Sequence, residues 1–339
     1  MNKQRIFFTI LLIAVFTFLG LRETNNKYYI TGKTMGTTYS VSVWGKTELT
    51  QQELQSRIDL RLQDINNTAS TWIKTSEITK FNTEENTLTH KVNPFLIHTI
   101  LQSQEIHTKS KGAFDMTIGK LISLWGFDAE GRVTKAPSTK TLRHTLTSIG
   151  ADKIIVNANT LTISKTNEDL KINLSAIAKG GGVDAIAYLL QELGFTNFLV
   201  EIGGEVFASG TKIDGASWRV GIETPNATSG QITKIIPLTN QGLATSGDYR
   251  NYFEEQGRRY SHIINPQTGK PIKHKLASAS VLHDSTAMAD GWATAMMVLG
   301  EEQGMKIAKQ ENIAVFMLVR DGDTFKTLTS PAWEILTGE

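Results

Sequence analysis

Ile172-Asn173-Leu174-Ser175-Ala176-Ile177-Ala178-Lys179-Gly180-Gly181-Gly182-Val183-Asp184 reads as the end of an apolar strand, a turn of small residues and the start of a helix reaching about Leu193. A lysine and three glycines at such a junction suit a polyphosphate. Free backbone N–H groups and the positive end of a helix dipole converge there, and glycine lets a ligand approach closely. The glycines are adjacent rather than spaced as G-x-G-x-x-G, and no Lys-[Ser/Thr] pair closes the turn. Neither common nucleotide fingerprint is therefore met. Glycines that only permit tight helix packing would spell the same letters.

Outward from this stretch, helices and hairpins alternate. Residues Tyr28 to Trp44 alternate and are β-rich (Tyr39, Val41, Val43), with a bend at Met35, which predicts a hairpin or a bulged strand. Leu54, Ile58, Leu62 and Ile65 share one helical face over Gln51 to Ile65. Ser76 is placed to cap a short helix to Phe81, a longer helix runs from Pro94 to about Lys109, and another spans Ser138 to Ile149. Short strands are expected at Lys153–Val156, Thr160–Ile163 and Leu170–Leu174. Phe198–Ile202 and Val206–Ser209 flank Gly203-Gly204-Glu205 as a hairpin, and Trp218–Glu223 and Lys234–Leu238 add strands. Many hairpins without strict βαβ repeats indicate an α+β (mixed α/β) architecture. With no internal repeat or linker, the chain reads as one globular domain from about residue 27 to 339.

Composition agrees. A 339-residue chain with 40% apolar and 20% charged residues is ordered and large enough for a well-buried core. Thirty-five basic against 33 acidic residues, scattered rather than striped, exclude a nucleic-acid binder. The absence of cysteine excludes disulfides, iron–sulfur clusters, thiolate zinc and thiol nucleophiles. Lys3 and Arg5 precede an apolar run from Ile6 to Leu21, after which Arg22-Glu23-Thr24-Asn25-Asn26 is sharply polar. Residues 1–26 thus read as a signal peptide or N-terminal membrane anchor. Sixteen residues at 1.5 Å each reach about 24 Å, short of the roughly 30 Å hydrocarbon layer but compatible with a thin, uncleaved anchor. The expected location is the periplasmic side of the inner membrane, exported and anchored or secreted. Phe18-Leu19-Gly20-Leu21 resembles a lipoprotein box without its cysteine, so the chain is not a lipoprotein.

Four further stretches carry candidate chemistry. Gly112-Ala113-Phe114-Asp115-Met116-Thr117, leading to Trp125-Gly126-Phe127, reads as a binding loop or a capped short helix. Gly242-Leu243-Ala244-Thr245-Ser246-Gly247-Asp248-Tyr249-Arg250 reads as a small-residue turn rich in hydroxyls followed by a charged strand. His262 sits just before a rigid Asn265-Pro266-Gln267-Thr268-Gly269 loop, and its imidazole suits proton transfer near neutrality. In Asp284-Ser285-Thr286-Ala287-Met288-Ala289-Asp290-Gly291-Trp292-Ala293-Thr294, Asp284 or Ser285 would cap a helix, with Asp290 and Thr294 at i and i+4 on one face. A carboxylate and a hydroxyl at that spacing suit a hard cation such as Mg²⁺, or else a buried Asp bonded to its helical neighbour.

Eight stretches in order resemble the ApbE family of FAD:protein FMN transferases. They are Thr34 to Thr37, Gly112 to Asp115, Leu121 to Phe127, Asn173 to Gly180, Glu201 to Glu205, Ala244 to Gly247, His262 to Pro266 and Ala289 to Thr294. The resemblance implies a single ApbE-like (T-fold-like) domain after an N-terminal hydrophobic segment. It further implies Mg²⁺-dependent transfer of the FMN half of FAD onto a Thr or Ser hydroxyl, with release of AMP. The acceptors implied are exported flavoprotein subunits of membrane redox complexes, such as sodium-pumping NADH:quinone reductase or Rnf. An FAD pyrophosphatase or a non-catalytic FAD-binding carrier is the alternative. By the same resemblance, Met35, Trp72, Ala113, Phe114, Asp115, Asn173, Lys179 and Ile264 match FAD-contacting positions. Ala176 (through its carbonyl), Asp290 and Thr294 match the metal site, and His262 the base that takes the acceptor's proton. Trp72 stands where Tyr is common, Asn173 where Asp is frequent, Ala293 where some members carry a carboxylate, and Met116 where Pro is common.

Overall fold

The computed structural model describes residues 25–128, 131, 136–225, 230–248, 252–255 and 258–338. The hydrophobic run 6–21, on which the anchor expectation rests, lies outside them. No helix among the described residues is long and apolar enough to cross a membrane.

The frame is an eight-stranded sheet: β1 (Asn25–Thr34), β2 (Thr37–Lys46), β3 (Asn197–Ile202), β4 (Glu205–Ser209), β5 (Gln241–Gly247), β6 (Leu276–His283), β7 (Ala314–Asp321) and β8 (Thr324–Thr329). They lie side by side in chain order, and every neighbouring pair is antiparallel. Alternation sets which side chains go to which face. In β3, Phe198, Val200 and Ile202 join a core with Val41, Val43, Leu54 and Ile58. Leu199, between them, leans on a second core built around Trp218, Leu238, Phe316 and Trp333. That opposite face is covered by the hairpin Trp218–Glu223/Ile232–Leu238 and the C-terminal helix Pro331–Thr337. β6 is buried from Leu276 to Leu282, as a central strand covered on both faces must be.

Four long helices serve the first face: α1 (Gln51–Ala69), α2 (Pro94–Lys109), α3 (Ala178–Glu192) and α4 (Thr286–Gln310). α1 starts on a capping box formed by Thr50 and Glu53, and α2 on Asn93 followed by Pro94. α4 breaks at Gly300, where φ is +77° and a side chain would strike the His274 ring at 2.9 Å. His274 Nε2 lies 2.7 Å from the Met297 carbonyl that the break releases.

The start of α4 is held by its neighbour. Asp184, on α3, accepts hydrogen bonds from the Ser285 hydroxyl (2.7 Å), Thr286 N–H (2.7 Å) and Ala287 N–H (3.0 Å). Asp184→Ala should therefore cost about 2–4 kcal/mol of unfolding free energy, since three donors at a helix start lose a charged acceptor. Urea unfolding at neutral pH measures this, and a loss below about 1 kcal/mol would contradict it.

Most expected elements are present, with α1 extended to Ala69. Two expectations are corrected. Leu170–Leu174 is not a strand: the side-chain amide of Asn82 takes both backbone groups of Ile172, each at 2.7 Å, in place of a neighbouring strand. Gly242–Gly247 is not a turn but most of β5; Tyr249 and Arg250 lie outside the described residues. Its small residues are dictated by α4, since a Cβ on Gly242 would meet Thr286 Oγ1 at 2.6 Å.

Candidate functional site

The site grows from the segment ahead of α3. With Ile172 clamped by Asn82, Asn173 donates its N–H to the Met116 carbonyl at 2.7 Å. The Asn173 side-chain oxygen then accepts from the Ser175 N–H (3.0 Å) and hydroxyl (2.5 Å), an Asx turn. An asparagine supplies the oxygen that this turn needs as well as an aspartate would. Ala178 N–H closes onto the Leu174 carbonyl at 2.8 Å, and α3 begins.

The three glycines lie inside the first turns of α3, not in a loop. Each meets a different neighbour. A Cβ on Gly180 would strike the Thr286 carbonyl oxygen at 2.3 Å, one on Gly181 the Phe95 ring at 3.1 Å, and one on Gly182 the Met35 methyl at 2.8 Å. Gly180 N–H donates to Asp290 Oδ2 at 3.1 Å, and Gly181 N–H to the Ile177 carbonyl at 3.0 Å. Of the two uses open to these glycines, this arrangement meets the packing one. α3 has no side-chain cap of its own at Ile177. Asp290, from α4, serves instead, just as Asp184 of α3 caps α4.

Lys179, between these contacts, faces two buried carboxylates. Its Nζ lies 3.2 Å from Glu205 Oε1 and 3.6 Å from Asp290 Oδ1. Asp290 is 2% exposed and Glu205 3%. Burial works against the Lys179 charge, but the Asp290 and Glu205 carboxylates outweigh it and raise the ammonium above the ordinary lysine range. Burial pushes the Glu205 carboxyl upward against the pull of Lys179. Glu205 is aimed by the two-residue turn Gly203-Gly204, where φ is +61° and +106° between the paired residues Ile202 and Glu205. A Cβ on Gly203 would press the Thr37 methyl at 2.8 Å and the Lys179 stem at 3.4 Å.

One turn below Asp290, the Thr294 hydroxyl lies 3.2 Å from the Ser246 hydroxyl of β5. The structure thus brings Lys179, Asp290 and Thr294 to the junction of α3 and α4, with half-buried Ala176 three residues before Lys179. No cluster of three His, Cys, Asp or Glu suited to a metal occurs among the described residues. A carboxylate, a hydroxyl and a peptide carbonyl are hard oxygen donors too few to enclose an ion. They fit Mg²⁺, which keeps waters and takes ligand phosphates.

The other predicted residues divide. Met35 occupies the tight turn between β1 and β2 at φ +49°, a conformation costly for a side chain, and its methyl rests on Gly182. Beside it opens a cleft of about 1210 Å³ lined by Met35, Thr37, Asn66, Asn67 and Ile73, without Lys179 or Asp290. Trp72, next to Ile73, is 65% exposed, a large flat ring standing in solvent. Ala113, Phe114 and Ile264, by contrast, are core side chains, 4%, 3% and 2% exposed. Asp115 is also buried: it accepts from Thr117 N–H (2.7 Å) and hydroxyl (2.5 Å), with His107 Nδ1 at 3.3 Å. Burial nonetheless raises its carboxyl above the usual range. Any ligand contact from Phe114 or Asp115 in this conformation runs through backbone.

His262 is half-buried, its ring edge-on to Phe127 with centroids 6.3 Å apart. The loop after it is pinned to the 111–127 segment by Trp125 Nε1–H to the Gly269 carbonyl (2.8 Å) and Gln267 Nε2–H to the Lys111 carbonyl (2.9 Å). Three contributors escaped the sequence reading. Glu205 was visible only as a letter of a Gly-Gly-Glu turn, and Asp184 only as a charge one turn beyond Gly180. Asn82 carries no local signal.

The chain resembles known proteins along most of its length. The profile of the ApbE family matches residues 35–317. The chain is 38% identical to the FAD:protein FMN transferase of Vibrio cholerae, over 95% of this chain and 96% of that one. It is 39% identical to the Haemophilus influenzae protein of the same name, over 91% of each. The solved apo structure of Pseudomonas stutzeri flavinyl transferase ApbE superposes with a TM-score of 0.85 at 35% identity, covering 93% of this chain and 98% of that one.

Proposed function

The chain belongs to the ApbE family, and from that membership we propose that it transfers the FMN half of FAD to a Thr or Ser hydroxyl of a flavoprotein subunit, releasing AMP. The observation that carries this reading is the half-buried Lys179 held between the buried carboxylates of Asp290 and Glu205 at the start of α3, one helical turn from Thr294. Such a site answers a pyrophosphate better than it answers a neutral ligand. Mg²⁺ held by Asp290, Thr294 and the Ala176 carbonyl would supply Lewis-acid neutralisation of pyrophosphate charge.

The chain's own residues do the rest. Lys179 offsets phosphate charge with an ammonium that its two carboxylates keep protonated. Trp72 and Met35 offer flat and soft apolar surface to a flavin ring. His262 accepts the acceptor hydroxyl's proton as the oxygen bonds to the FMN phosphorus. The P–O bond to AMP breaks, and AMP leaves carrying its own phosphate. The body acts outside the cytoplasmic membrane, a location supported by Lys3, Arg5 and the apolar run 6–21. Its partners there are subunits of membrane redox complexes.

The test incubates the chain from Lys27 onward with FAD, Mg²⁺ and a candidate acceptor domain, read by intact-mass spectrometry. A mass gain equal to FMN on a Thr or Ser is expected. Free FMN and AMP without labelling would make it an FAD pyrophosphatase, and tight FAD binding without any product would make it a carrier.

A further inference from the structure

Both oxygens of Asp290 are engaged: Oδ2 by Gly180 N–H and Oδ1 by the Lys179 ammonium. A cation ligated through Oδ1 meets the like charge of the Lys179 ammonium paired there, which favours moving that ammonium aside. An ammonium with no second partner would resist, because leaving its carboxylate inside a buried site is costly. Glu205 changes this balance. One of its oxygens already holds Lys179 at 3.2 Å, nearer than Asp290 does. The other, Oε2, is buried and has no hydrogen-bond partner. Glu205 is itself fixed at the end of the Gly203-Gly204 turn, and Gly203 leaves room for the Lys179 stem against Thr37.

We infer that Glu205 is a positioning residue that receives the Lys179 ammonium when a divalent cation takes Asp290, Oε2 accepting an N–H from it. The exchange moves no proton and breaks no covalent bond. It adds two positive charges to the cluster, on the side that would meet an anionic pyrophosphate. Glu205 thus keeps Lys179 from acting as a competitor for the metal. The inference rests on the cation reading of the site given above, and its test separates the two.

The probe is Mn²⁺ added to metal-stripped protein holding FAD without acceptor, with the free ion read by electron paramagnetic resonance. Wild type binds Mn²⁺. Glu205→Gln, which keeps the shape but not the charge, should weaken Mn²⁺ binding on the order of 10- to 100-fold, because Lys179 then stays on Asp290. In a Lys179→Met background the same substitution should cost less than about threefold, since no competitor remains to be moved. An equal loss with and without Lys179 would show Glu205 acting only as a fixed charge and would overturn the exchange. So would unchanged Mn²⁺ affinity in Glu205→Gln with wild type binding normally. Failure of the folded wild type to bind Mn²⁺ would overturn the cation reading itself, and the exchange with it. Thermal unfolding of each variant confirms that the comparison is between folded proteins.

Discussion

Asp290→Ala is expected to reduce cation-dependent flavin transfer by at least about a thousandfold, the scale of losing a principal electrostatic anchor in a phosphoryl-transfer site. The carboxylate has three employments that alanine ends together. It caps α3 through Gly180 N–H, it shares Lys179 with Glu205, and it is the only carboxylate in the proposed metal set. Removing the cap leaves a buried N–H without an acceptor, worth about 1–3 kcal/mol of stability. Asp290→Asn separates these roles. Its side-chain oxygen still serves Gly180, so stability should fall by less than about 1 kcal/mol, while its lost charge keeps transfer nearly as low as in the alanine variant. Steady-state labelling of an acceptor domain and urea unfolding, run on both variants, give the two numbers. Full transfer activity in either variant would remove Asp290 from the metal site.

His262→Ala should lower kcat for transfer by about 10²–10⁴-fold, the usual contribution of a general base. FAD affinity should stay within about threefold, because the imidazole is assigned to the acceptor hydroxyl and not to the nucleotide. The His262 ring stands edge-on to Phe127 at the lip of a loop anchored by Trp125 and Gln267, so its removal leaves that anchorage in place. Fluorescence titration of FAD and single-turnover labelling distinguish the outcomes. A parallel loss of FAD affinity would make His262 a binding residue, and unchanged kcat would pass the base role to another group.

What could be read from the letters had a local cause. The first hairpin follows from alternation through Tyr39, Val41 and Val43, and its turn falls at Met35 as the pattern requires. Ser76 and Ser285 cap the helices they precede, because a hydroxyl at that position accepts a free N–H. That Asp290 and Thr294 share one face of α4 follows from their i, i+4 spacing alone. Non-local causes were hidden. Residues 242–247 look like a turn because they are small, yet they are small so that α4 can lie against a strand. Leu170 to Leu174 has the apolar spacing of a strand but finds a side chain, Asn82, where a strand partner was expected. Lys179 and Asp290 stand 111 positions apart, and only the crossing of α3 and α4 makes them neighbours. Glu205 was silent because its meaning depends on both.

The sheet's order has a consequence for how the chain is made. β1 and β2 can pair as soon as they emerge, but the only strand available to the other side of β2 is β3, which starts at Asn197. Roughly 150 residues must be synthesised in between, about 8–30 s at 5–20 residues per second. Through that interval the hairpin waits with an unpaired inner edge, and Val41 and Val43 lack Phe198 and Val200 to cover them. For a nascent chain this is the longest exposure of sticky surface before the domain can close, and a binding window for any chaperone that attends its birth.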